Sequence, residues 1–176
     1  MDPWTAPPLE ARALFRDERS DLFSLLDELS LKQWAAASAA EGWSVKDIAL
    51  HLLDGDLGRL SRGRDRDVTS ELRVEGSSSL AGALAEKNDR WIQAARQFSP
   101  RVVRDLLVHS KAQIETWTAH ADIFEPARVS WASDEPVPTW LDQARKTPRR
   151  GSITSRSAKP QGFPPACPTA VGRHVG

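Results

Sequence analysis

A chain of 176 residues with 40% apolar content can build one domain with a hydrophobic core, or one domain with a tail. Its 24 acidic and 24 basic residues balance, so nothing in the overall charge favours binding to nucleic acid or to an anionic membrane. The single cysteine, Cys167, excludes an internal disulfide and a multi-cysteine zinc site, and no stretch approaches the length of a membrane span, so we expect a soluble, cytoplasmic protein.

Apolar residues at helical spacing predict two helices in the first third of the chain. The first carries a leucine stripe of Leu9, Leu14, Leu22, Leu25, Leu26 and Leu29, and residues 30–34 form a short turn or half-helix. The second begins after Ser44, a good N-cap, and Asp47 can accept hydrogen bonds from the first-turn amides. Its apolar arc consists of Val45, Ile48, Ala49, Leu52 and Leu60.

One histidine lies beside this apolar arc. At such an edge the imidazole of His51 is partly desolvated and can turn toward a neighbouring helix, where bundle proteins build metal sites. Gly55 and Gly58 follow on the same side and leave room there. A lone histidine in this position is also commonly a hydrogen-bonded structural residue, and one imidazole cannot hold a metal by itself.

Two further helices follow a charged connection at 64–76. Ser77 to Ser79 offer caps for the third helix, whose stripe is Leu80, Leu84, Trp91, Ala94 and Phe98. Ser99-Pro100 begins the fourth, whose stripe is Val103, Leu106, Leu107, Ser110, Ile114 and Trp117. His109 and His120 share a face of this helix but lie roughly 16 Å apart along its axis, so we expect surface or packing roles for both.

The pattern changes after a long crossover at 122–138, in which a short extended piece is expected. Thr139 caps a fifth helix that Pro148 ends after barely two turns, too short for a bundle member. Residues 146–176 contain six basic and no acidic residues, five prolines and four glycines, which is typical of a disordered tail. The prediction is an all-α bundle over 9–147 and a basic, Pro-rich tail over 148–176.

Several motifs of the chain resemble one known family. The segment that begins the second helix, Trp43-Ser44-Val45-Lys46-Asp47-Ile48-Ala49-Leu50-His51-Leu52, is similar to the W-[ST]-V-x-[DE]-[IV]-x-x-H-[LI] signature of the mycothiol-dependent maleylpyruvate isomerase family, within the DinB-like metal-binding bundles. The likeness covers most of residues 15–146 and continues in 84–91, 99–101, 129–131 and 136–142.

The resemblance implies a DinB-like four-helix bundle that uses a divalent metal, with zinc favoured, and mycothiol as cofactors. It makes His51 the first of three metal ligands. In the family's isomerase the thiol adds to a cis alkene, rotation follows, and elimination returns the trans isomer. The implied partners are therefore a small-molecule thiol and its substrate.

The last helix departs from the family pattern. The segment that starts with Pro136-Val137-Pro138-Thr139-Trp140-Leu141-Asp142 should continue into a Tyr-Thr-Glu-x-x-x-His sequence, which supplies the other two ligands, and this chain lacks that Glu and His. Codons permitted by residues 146–155, read after one base is restored before Thr147, spell Tyr-Thr-Glu-x-x-Val-His-His-Gln. We therefore hypothesise a one-base slip after about Arg145, in the gene or in its recorded sequence. The natural basic tail is the competing interpretation.

These observations leave three functional hypotheses. The first is a metal- and thiol-dependent transferase or isomerase of the maleylpyruvate isomerase type, impaired by the loss of two ligands unless Asp47, Asp54 or His109 substitutes for them. The second is a non-enzymatic bundle that binds a partner through an exposed groove, and the truncated last helix also leaves an apolar face for self-association. The third is nucleic-acid binding by the basic tail, whose basic residues would attract phosphates. We do not expect this function, because most such tails only keep a terminus soluble.

Overall fold

The computed structural model describes residues 5, 7, 8, 10–67, 79–122, 124–127 and 137–146, with only the backbone described for 127 and 143–146. The predicted tail, residues 148–176, and most of the predicted connection at 64–76 lie outside this part of the chain. In chain order the described elements are α1 (Arg12–Glu28), α2 (Leu31–Trp34), α3 (Val45–Arg59), a π-helical turn (Leu60–Arg64), α4 (Leu80–Ala95), α5 (Pro100–Thr118), β1 (Pro126–Ala127), β2 (Val137–Pro138) and α6 (Thr139–Lys146).

The helices begin where the serines predict. Ser44 accepts a hydrogen bond from the amide of Asp47, whose side chain in turn accepts from the Ser44 amide. Ser30 forms a similar box with Gln33, and Ser79 and Ser99 cap α4 and α5 through their side-chain oxygens. These caps satisfy first-turn amides that have no partner within the helix.

The bundle is organised around α3. This helix contacts α2, α4 and α5, and α1 packs on α5. Ala49 and Leu60 of the predicted arc are buried and Leu52 packs against the core, but Val45 and Ile48 are only partly buried. Leu50 and Leu53, which the arc did not include, are fully buried because α3 has neighbours on several sides, and a helix covered on several sides has no single apolar stripe.

The hydrophobic core consists of two clusters. The larger lies between the N-terminal half of α3 and its neighbours and contains Leu26, Trp34, Ala49, Leu50, Leu53, Ile92, Ala95, Val103 and Leu107. The smaller contains Phe15, Leu60 and Ile114. On each of α1, α3 and α5 the residue between the two clusters is polar, namely Arg19, Asp56 and Ser110.

The last helix docks on the bundle although it is short. The predicted extended piece is a two-residue antiparallel ladder in which Pro126 pairs with Pro138 and Ala127 with Val137. Directly after it, the side chain of Thr139 donates to the carbonyl of Glu125 at 2.7 Å. Trp140 is buried, and α6 contacts α1. All described elements except this ladder and an isolated bridge are helical, as the sequence predicts.

None of the described helices is long and apolar enough to cross a membrane.

Candidate functional site

His51 lies in the N-terminal half of α3. The imidazole is partly buried, and its ring centroid lies 5.3 Å from that of Trp43 in an edge-on contact. Its Nδ1 atom is buried and has no hydrogen-bond partner among the described residues. The contacts that the structure describes for this ring are therefore packing contacts.

Electrostatics keep this imidazole neutral. Burial lowers the pKa of His51 below its ordinary value of 6.5, and the nearby Lys87 ammonium lowers it further, while Asp54 acts in the opposite direction. Because a histidine ligates a metal only in its neutral form, this environment favours ligation at neutral pH.

Asp54, one turn after His51, is paired across the helix interface. Its carboxylate forms an ion pair with the ammonium of Lys87 on α4. The indole nitrogen of Trp91, one turn further along α4, donates to the carbonyl of Leu50 at 2.8 Å. The two contacts fix α4 against the face of α3 that carries His51.

The predicted space beside His51 is present at Gly55 and absent at Gly58. Outside the backbone of its own helix, nothing lies within 4 Å of the position that a Cβ of Gly55 would take. The same position at Gly58 is 2.7 Å from the guanidinium of Arg62, which fills that space.

The other candidate ligands lie elsewhere. Asp47 caps α3 and accepts two hydrogen bonds of 3.0 Å from Arg96. Burial would raise the pKa of Asp47, but the hydrogen bonds from Arg96 and Ser44 hold it below its ordinary range. His109 on α5 and His120, two residues after α5, are exposed and contact Gln113 and the Thr116 carbonyl respectively, so their predicted surface position is confirmed. Among the described residues, no three His, Cys, Asp or Glu side chains are grouped to hold a metal ion.

A second cluster of charges, which the sequence reasoning missed, is buried at the other end of α3. Arg19 donates to Asp56 at 2.6 Å, and the hydroxyl of Ser110 donates to the other oxygen of Asp56 at 3.0 Å. Arg59 lies 3.5 Å from Asp142 of α6, and both Arg19 and Arg59 lie over the ring of Phe15. We call Arg19, Asp56, Arg59 and Asp142 the buried ion network.

The signal for this network was present in the sequence. Arg19 continues the helical stripe from Phe15 toward Leu26, and Asp56 lies between Leu53 and Leu60 at core spacing. A charge at a core position requires a partner, because an unpaired buried charge is costly. Opposite charges at the core positions of different helices would have indicated the pairing.

The order of these features along the chain agrees with a family model. The model described as the mycothiol maleylpyruvate isomerase N-terminal domain matches residues 15–150. The chain belongs to this family. The family match contains His51, the buried ion network and all described helices from α2 to α6. No curated protein and no solved structure gives a match to the chain.

Membership of the mycothiol maleylpyruvate isomerase N-terminal domain family confirms the resemblance found in the sequence, and the described helices are consistent with its DinB-like fold. The family associates the chain with mycothiol and with maleylpyruvate isomerase-like proteins.

Proposed function

We propose that this chain is a metal-binding, mycothiol-dependent transferase or isomerase of the maleylpyruvate isomerase type, with His51 as its first metal ligand. The observation that carries the proposal is the buried Nδ1 of a neutral imidazole that has no partner among the described residues. Zinc is the favoured ion because imidazole is one of its common ligands.

Of the three metal ligands that the family pattern implies, only His51 is among the described residues. The other two are expected after α6, where the sequence as it stands has neither the Glu nor the His. We infer that this form of the chain is impaired and that the restored reading frame would supply both ligands four residues apart, on one face of a longer last helix. Asp142 supports this arrangement, since its ion pair with Arg59 joins the beginning of that helix to α3.

A bound divalent ion would supply Lewis acidity, which stabilises developing enolate charge or lowers the pKa of a thiol. Several residues of the chain would favour binding of such an ion. Burial and Lys87 keep His51 unprotonated, and the edge of Trp43 restricts the ring. The open space at Gly55 leaves room for a ligand beside the imidazole.

Zinc content tests this proposal. Elemental analysis of the purified protein should find less than one zinc per chain, and this zinc should be lost in His51→Ala and kept in His109→Ala, which removes an exposed histidine from α5. Equal zinc in His51→Ala and the wild type would refute the role of His51.

The proposed loss of two metal ligands is tested with a variant whose gene has its reading frame restored after the codon of Arg145. We expect this variant to hold one zinc per chain and to gain mycothiol-dependent cis–trans isomerisation of maleylpyruvate, with both properties lost on His51→Ala. Resequencing codons 144–150 from the source tests whether the slip is real. A restored variant that binds no more zinc than the original chain would contradict the proposed ligand set.

A further inference from the structure

A cavity of about 860 Å³ lies between α2, the loop that leads into α3 and the corner between α4 and α5. The loop has a defined backbone, because the amide of Ser38 donates to the carbonyl of Trp43 at 2.8 Å and Ala37 pairs with Ser44 in the isolated bridge. One wall of the cavity is therefore an ordered segment of main chain. Its volume is in the range of pockets that bind small organic molecules.

One side of this cavity is apolar. Leu31, Trp34 and Pro100 line it, and Trp43 adds a second indole. Trp34 is anchored in the larger hydrophobic cluster, whereas Leu31 is 76% exposed, more than any other large apolar side chain in the described part of the chain. An apolar body bound in the cavity would cover Leu31 and remove its surface from water, which favours binding.

Two cations lie at the polar end of the cavity. The ammonium of Lys46 donates to the carbonyls of Arg96 and Phe98, at 2.8 and 3.3 Å, which leaves one of its three N–H groups for another acceptor. The guanidinium of Arg96 is oriented by Asp47, which accepts from Nε and Nη2. Its Nη1 has no hydrogen-bond partner among the described residues, so both cations can donate to a ligand.

The charges at this end leave a positive group without a counter-ion. Asp47 neutralises Arg96, but no described carboxylate forms an ion pair with Lys46. Glu41 also lines the cavity, but its side chain is exposed, so water and salt screen its charge. An apolar side next to free N–H donors suits an anion with an apolar body, since hydrogen bonds to a carboxylate are stronger than those to a neutral acceptor.

We propose that this cavity binds a small carboxylate with an aromatic or branched apolar body. The carboxylate accepts from Arg96 and Lys46, and the body lies against Leu31 and Trp34. This inference does not depend on the proposed role of His51 as a metal ligand. It adds a binding site in which neither His51 nor a metal takes part.

The experiment is a calorimetric titration of the full chain, without added metal, with 2-naphthoate and separately with 2-naphthalenemethanol, its uncharged counterpart. Lys46→Met should weaken binding of naphthoate about tenfold, the effect of one charge-assisted hydrogen bond, and should have little effect on the alcohol. Leu31→Ala should weaken both about fivefold, because less apolar surface is covered. Glu41→Gln should strengthen binding of naphthoate about twofold.

Two matched variants serve as controls. Lys32→Met removes an exposed lysine of α2 and Leu25→Ala an exposed leucine of α1, both outside the cavity, and neither should change the two affinities. Circular dichroism verifies that each variant is folded.

Indole N–H resonances give a second measurement. Naphthoate should shift the signals of Trp34 and Trp43, which line the cavity, and leave that of Trp117 in place. Three results would overturn the inference: no binding at millimolar naphthoate, binding of naphthoate that is unchanged in both Lys46→Met and Leu31→Ala, or equal affinity for naphthoate and its alcohol. None of them bears on zinc, so the proposed function is tested separately.

Discussion

Two groups of polar residues on α3 have different surroundings. Asp56 and Arg59 are each 4% exposed and pair with α1 and α6. Asp54 is 19% exposed and pairs with a lysine that reaches solvent, while the buried Nδ1 of His51 has no hydrogen-bond partner among the described residues. We call Asp56 and Arg59 the closed group, and His51 and Asp54 the open group.

The difference separates charges that hold the bundle together from groups available for chemistry. In the closed group the carboxylate of Asp56 joins α3 to α1 and α5, and it is buried between the two hydrophobic clusters. In the open group Lys87, the partner of Asp54, is 27% exposed and can turn into water. Perturbed groups that retain such freedom are candidates for functional sites.

The largest effect should come from removing one carboxylate in each group. Asp56→Ala leaves the buried Arg19 guanidinium without its partner and should lower the free energy of unfolding by about 3–5 kcal/mol. Asp54→Ala lets Lys87 turn into water and should cost about 1 kcal/mol or less. Urea denaturation of both variants measures the difference. Equal losses would show that the two groups are not distinct.

Two glycines extend the comparison to steric effects. A Cβ on Gly63, four residues after Arg59 of the closed group, would lie 2.5 Å from the ring of Trp117, so Gly63→Ala should destabilise the protein by about 1–3 kcal/mol. Gly55→Ala, next to Asp54 of the open group, meets no neighbour and should stabilise α3 by about 0.5–1 kcal/mol. Thermal melts of the two alanine variants should therefore move in opposite directions, and a lower melting temperature for Gly55→Ala would mean that the open space is filled.

The smallest effect is a pH dependence of stability from His51. Its pKa is lowered in the folded state, so the unfolded chain takes up the proton more readily. The contribution of the neutral imidazole is complete above the unfolded value of 6.5 and is lost as the pH falls from 6.5 through the folded pKa. His51→Gln should therefore lose less stability than the wild type between pH 7.5 and 5, as measured by urea denaturation at each pH. His109→Gln is the control for loss of an exposed imidazole, and identical profiles for His51→Gln and the wild type would contradict the assigned environment.

The local rules predicted the helices well. Serine caps and the proline after Ser99 fixed the beginnings of α3, α4 and α5, because these signals act through the nearest amides and need no tertiary information. Periodicity was less informative about burial. Leu14 and Leu25 belong to the predicted stripe of α1 but are exposed, whereas Phe15 and Arg19 are buried. Which side of a helix is covered depends on its neighbours, and their placement is not encoded in the helix alone.

The site was predicted in part. The position of His51 at the edge of a packed face follows from its angle on α3, and the structure places it there. The buried ion network was missed because its members lie on different helices, and a helix considered alone does not show which charges will meet. Whether His51 binds a metal remains a prediction, since two of the proposed ligands lie beyond the described residues.

The edge-on contact between Trp43 and His51 provides an optical measurement of the imidazole. Because a protonated imidazole quenches an excited indole in contact with it, the emission of Trp43 should fall when His51 takes up a proton. The chain has seven tryptophans, so the difference between the wild type and Trp43→Phe isolates this signal.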